Sequence, residues 1–204
     1  MKKLLLVLVA GLLVTSSFAQ IDREDGDSKK KKKCEDPFYG FLGIGLSSIN
    51  GDSDSYDKPL IGGYLGIGFC LTQFNQNVGL RTELAYAIKG SKWSEMYGDG
   101  NVRLGYVALP VFVRATSNSG FYGEAGGEIA ALTSAKDNYD GESYDFKDEV
   151  NNIDFGALFG LGYQFGRFGV GARVVQGLTN INKQESDQYK DHNFAGNVRF
   201  TVNF

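Results

Sequence analysis

Charged residues recur in this chain at spacings of two, four and six: Arg81, Glu83 and Lys89 in one stretch, Glu124 and Glu128 in another, with Asp154, Arg173 and Arg199 further on. Such sets shuttle protons, hold a metal, or neutralise one another away from water. The even spacing decides among these, because residues i and i+2 share a face of a β-strand. Four bases (Arg81, Lys89, Arg173, Arg199) and four acids (Glu83, Glu124, Glu128, Asp154) would then line one face of a sheet. If that sheet closes on itself, they meet in its interior and form a structural ion-pair network. A narrow polar conduit or ligand slot between them is the functional alternative.

Other reactive groups are sparse. The single histidine, His192, stands beside Asp191 in a polar stretch, and one class of membrane acyltransferases uses a surface histidine with a serine and a carboxylate. Acidic stretches carry Asp52, Asp54 and Asp57, and then Asp137, Asp140, Asp145, Asp148 and Glu149. Neither has the spacing of a calcium-binding loop. No nucleophile elbow, phosphate-binding loop or zinc spacing is present. The expectation is therefore no catalytic residue, no cofactor and no metal. Cys34 and Cys70 suit an oxidising compartment and become neighbours if the first two strands pair about residue 54, which makes a disulfide between them plausible though not required, with free, buried thiols the equal alternative.

The elements that position these groups begin after residue 37. Residues 1–19 have the order of a secretory signal peptide, with Lys2 and Lys3, an apolar run and then Ser17-Phe18-Ala19. The apolar run falls short of the roughly 20 residues of a membrane-spanning helix. Residues 20–37, with Lys29 to Lys33 unbroken, read as a charged leader on the periplasmic side, the lysines facing either solvent or anionic headgroups. From Phe38 onward, apolar residues alternate with glycines and polar groups. The alternation predicts strands over 38–47, 61–72, 78–89, 102–115, a fifth after 120, 153–165, 168–177 and 194–204. Pro110 predicts a bulge in the fourth, which leaves the facing of Arg103 and Arg114 open. Connections alternate long and short, the longest running over 134–152.

Eight strands with alternating long and short connections predict an all-β, eight-stranded, antiparallel up-and-down transmembrane β-barrel over 38–204, with short periplasmic turns and long extracellular loops. A soluble, lipocalin-like exported barrel is the structural alternative. The outward aromatics Phe38, Phe69, Phe121, Phe165, Phe168 and Phe204 fall near the short turns and predict one interfacial ring, with Tyr86 and Trp93 in the other. The mean hydropathy of −0.22 fits a barrel whose alternate residues face a polar interior, and a net charge of −3 without a basic stripe argues against nucleic acid. In the last strand Val198, Phe200, Val202 and Phe204 face one way, and Phe200, Val202 and Phe204 form a candidate C-terminal signal for the outer-membrane assembly machinery. Membrane lipid and that machinery are the expected partners.

Three stretches carry a family likeness: Glu83-Leu84-Ala85-Tyr86-Ala87-Ile88-Lys89-Gly90-Ser91-Lys92, Leu104-Gly105-Tyr106-Val107-Ala108-Leu109-Pro110 and Tyr122-Gly123-Glu124-Ala125-Gly126. They resemble the PorT-type outer-membrane β-barrel family of Bacteroidota. The resemblance implies an eight-stranded barrel in the cell outer membrane. Its founding member is associated with protein secretion, a role not carried over here. The expected function is a non-enzymatic barrel with a structural, adhesion or assembly role through its loops, an accessory role in transport or secretion being the alternative.

Overall fold

The computed structural model describes residues 34, 37–51, 58–95, 98–183 and 190–204. The expected signal peptide, the leader apart from Cys34 and Pro37, and the acidic group Asp52, Asp54 and Asp57 lie outside the described residues. The elements are β1 (Phe38–Gly51), β2 (Lys58–Gln73), β3 (Val78–Glu95), β4 (Gly98–Thr116), β5 (Phe121–Tyr139), β6 (Glu142–Asp145), a 3-10 turn (Lys147–Glu149), β7 (Ile153–Phe165), β8 (Phe168–Gly177) and β9 (Asp191–Asn203).

Each barrel strand pairs antiparallel with its neighbour, and β1 pairs with β9 from Tyr39↔Asn203 to Gly51↔Asp191. That pairing closes the sheet, so eight strands form a barrel without a free edge in its wall, while β6 is an extra short strand carried by β5. The expected soluble alternative fails on the facing of the wall. Leu42 (64% exposed), Ile44, Ile61, Leu65, Phe159, Leu161 and Val198 point outward, whereas Arg173, Arg199, Glu83 and Thr201 are buried inside. An apolar exterior around a charged interior suits lipid outside.

The short connections gather at one end. Asn75 Oδ1 accepts from the backbone N–H of Asn77 and Val78 in the first, and Gly166 takes a φ of 58° in the third, a conformation that favours glycine. Aromatics ring this end: Phe121 meets Tyr163, Tyr163 meets Phe165, Phe165 meets Phe168 and Phe168 meets Phe200, with centroids 4.9–6.3 Å apart. Phe38 packs edge-on against Phe69. Cys34 and Cys70 are disulfide-bonded at this end, their Cα atoms 6.2 Å apart, and the Cys70 N–H donates to Pro37 O.

Three expectations need correction. The Pro110 bulge is absent: β3 and β4 keep one register from Val78↔Ala115 to Glu95↔Gly98, and only the pairs around Pro110 are missing. The bulge lies instead between β4 and β5, where Gly105 pairs with Ser134 but Tyr106 with Leu132, leaving Thr133 as an extra residue whose hydroxyl donates to Gly105 O. The connections read as long loops after the third and fifth strands are largely strand. β3, β4 and β5 run on past the barrel wall, and β5 turns into β6 through Asp140 (φ 49°) and Gly141 (φ 83°), the backbone of a tight hairpin turn. Trp93 leaves the outer ring, because it shares the inward parity of Lys89 and Ser91 and packs against the core.

A charge on the wall should be costly in lipid. Leu42→Arg is expected to lower unfolding stability in lipid vesicles by about 2–4 kcal/mol, measured by urea titration, while the same change at exposed Ser143 should leave it unchanged. On non-reducing gels, reduction should shift the migration of the wild type and not that of Cys34→Ser.

Candidate functional site

The interior is built from the residues whose spacing singled them out. Along one row of the sheet, Tyr39, Gly68 and Glu83 are successive partners on β1, β2 and β3. A Cβ on Gly68 would collide with the Tyr39 ring, so glycine lets that ring lie across β2 and its hydroxyl donate to Glu83 Oε1 at 2.7 Å. Glu83 is the hub of the lower cluster. It accepts from Arg173 (Nη1 to Oε2, 2.6 Å) on β8 and from Arg199 (Nη2 to Oε1, 2.8 Å) on β9, each with a second contact to its other oxygen. Two guanidiniums thus grip one carboxylate in forked geometry, the strongest form of ion pair available to protein side chains.

Arg173 also reaches Glu124 on β5 (Nη2 to Oε2, 2.7 Å), and Glu124 accepts from Arg114 Nε at 2.8 Å. The chain Arg114, Glu124, Arg173, Glu83, Arg199 therefore crosses the lumen with three cations and two anions. Aromatic faces take up the surplus: Arg199 lies 4.3 Å from the Phe41 centroid, Arg173 4.6 Å from Phe112 and Arg114 4.4 Å from Tyr122.

A second cluster sits nearer the long-connection end. Lys89 Nζ is 3.0 Å from Glu128 Oε1 and 3.4 Å from Asp154 Oδ2, and Asn193 Nδ2 donates to Asp154 Oδ2 and to the Tyr106 hydroxyl. This cluster has one cation and two anions, the reverse imbalance. Seven of the eight inward charges expected from parity fall into these two groups. Arg81, the eighth, is half-buried, with its guanidinium carbon 5.4 Å from the Tyr39 centroid. Arg114, whose facing the sequence left open, is the further member. Its signal was the β4–β5 hairpin, in which Arg114 pairs with Glu124 across the Ser117–Gly120 turn.

Toward the long-connection end, buried apolar residues pack together. Ile49, Val102, Leu104, Leu132 and Ala135 from the wall meet Val150 and Ile181 from the connections, with Phe146 and Trp93 packed against them. The connections are tied together here: Asn151 N donates to Ile181 O at 2.8 Å and Lys183 N to Glu149 O at 3.0 Å. A cavity of ≈20 Å3 beside Lys89, Glu128 and Tyr64 has room for about one water molecule.

The remaining candidates are dispersed. His192 is half-buried with Nδ1 3.1 Å from Thr179 O. Among the described residues no three His, Cys, Asp or Glu side chains are grouped to hold a metal ion. In the lumen the expected effect of mutation is large. Glu83→Leu leaves Arg173 and Arg199 short of a counter-charge and should destabilise the folded barrel by about 3–5 kcal/mol, read from urea unfolding in vesicles. Arg114→Met should cost less, because Arg173 still serves Glu124.

Comparison with known proteins agrees with this architecture. No curated protein matches the chain. Among solved structures, the chain is similar to Neisserial surface protein A, at 14% identity with a TM-score of 0.55, covering 82% of this chain and 97% of that one. It is also similar to the outer membrane enzyme PagL (14% identity, TM-score 0.47, 81% and 99% covered) and to Ail, the attachment invasion locus protein of Yersinia pestis (18% identity, TM-score 0.43, 82% and 99% covered). Residues 18–183 match the outer membrane protein beta-barrel domain, so the chain belongs to that family and is an outer-membrane protein.

Proposed function

We propose that this protein is a closed, non-conducting barrel without catalysis of its own, acting in adhesion or assembly through the surface at its long-connection end. One observation carries the reading: buried ion pairs span the interior and apolar residues pack toward its long-connection end, so among the described residues the strand extensions and the β5–β6 hairpin are what the fold offers to a partner. By the usual asymmetry of such barrels, the short turns face the periplasm and the long connections the exterior. Membrane lipid covers the wall, and Phe200 and Val202 on the lipid face of β9, with Phe204 just past its end, are the residues the assembly machinery reads.

A second reading, accessory to transport or secretion across the outer membrane, draws on the PorT-type likeness. The residues of that likeness include Glu83, Lys89 and Glu124 of the lumen network and the outward Leu84, Tyr86, Val107 and Leu109 of the wall.

Purified protein in planar bilayers should show no stable conductance, and a steady open level would sink the closed-barrel reading in favour of transport. Phe200→Asp should lower the heat-modifiable, membrane-inserted fraction in cells more than removal of residues 140–145 does, and equal insertion would remove the assembly role from that strand.

A further inference from the structure

The strand extensions carry a feature that the closed barrel does not use. On the inward-parity face, Trp93, Gly100, Tyr139 and Glu142 form one row across β3, β4, β5 and β6, and Val102, Asp137 and Tyr144 form the next. Gly100 has no side chain because the Trp93 indole lies over it. Tyr139 stacks on that indole at 5.4 Å and 23°, and the Trp93 Nε1–H donates to Asp137 Oδ1 at 3.1 Å. The indole is anchored below by the buried apolar residues, while Tyr139 and Tyr144 stay 42% and 74% exposed. Residues 136–149 hold six carboxylates against two lysines.

From this juxtaposition we propose that Trp93, Tyr139 and Tyr144, flanked by Asp137 and Glu142, form a binding platform for a cationic segment of a partner protein, its arginine or lysine side chains lying on the rings. This rests on the reading that the long-connection end is the working surface. Two properties select a cation. Aromatic faces attract ammonium and guanidinium groups, and Asp137 at the indole edge with Glu142 opposite Tyr139 in the row supplies the counter-charge and rejects anionic partners. The surrounding acidic hairpin adds long-range attraction of the same sign.

Trp93 is the sole tryptophan, so its emission reports on the platform directly. Full-length protein in non-ionic detergent, titrated with hexa-arginine at 150 mM salt, should show a saturable change in Trp93 emission, and hexa-glutamate should show none. Glu142→Gln and Tyr139→Ala should each weaken the response about tenfold, Tyr139→Phe should restore it, and Asp148→Asn, away from the platform, should change it less than twofold. No saturable change would overturn the proposal. So would equal weakening by Asp148→Asn, the mark of a diffuse acidic surface, or tighter binding of neutral maltohexaose. Conductance on the same preparation separates the two readings: a closed barrel that ignores hexa-arginine loses only the platform.

Discussion

The structure depends on the fact that a backbone N–H or C=O has no partner in hydrocarbon except another strand. Pairing β1 with β9 meets that demand, and nearly everything else follows from it. A closed antiparallel sheet sends every second residue inward, and eight strands leave an interior only wide enough for those side chains. The polar groups placed there must therefore satisfy one another. Glu83 does so with two guanidiniums and two tyrosine hydroxyls around a single carboxylate.

The two clusters divide the lumen electrically. The set around Glu83 and Glu124 has one cation more than its anions, and the set around Lys89 has one anion more than its cation. Buried charges cost several kcal/mol each to desolvate, so the arrangement is a constraint on the interior more than a source of stability. Forked contacts and ring faces reduce that cost, and both demand fixed positions. The network therefore specifies which strands face which, in a wall whose outer surface is interchangeable aliphatic and aromatic residues.

Much of this was legible in the sequence because lipid imposes a period of two. β7 and β8 span the ranges the alternation predicts, and the outward and inward sets on β1, β2, β3 and β9 follow parity. The extensions of β3, β4 and β5 were not legible for the same reason in reverse. Beyond the apolar wall the outward face is polar and the inward face mixes polar groups with apolar ones such as Trp93 and Ala135, so residues 90–101 and 134–145 lose the alternation and resemble loops. Asp140-Gly141, a dipeptide suited to tight hairpins, was the available sign of strand on either side. Trp93 misled for a related reason: an aromatic near a strand end fits an interfacial ring equally well until its parity is counted. The proline at 110 drew attention to the wrong strand position, and that obscured Arg114.

The extra residue at Thr133 changes the parity of β5. Before it, even-numbered residues such as Glu124, Glu128 and Ala130 face inward; after it, Ala135 and Asp137 do. Without that single insertion the hairpin would keep its composition, its turn and its charge, yet Asp137 and Tyr139 would lie on the opposite side of the sheet from Trp93. In such a strand, the gain or loss of one residue re-addresses an entire surface in one step, which no substitution of a side chain can do.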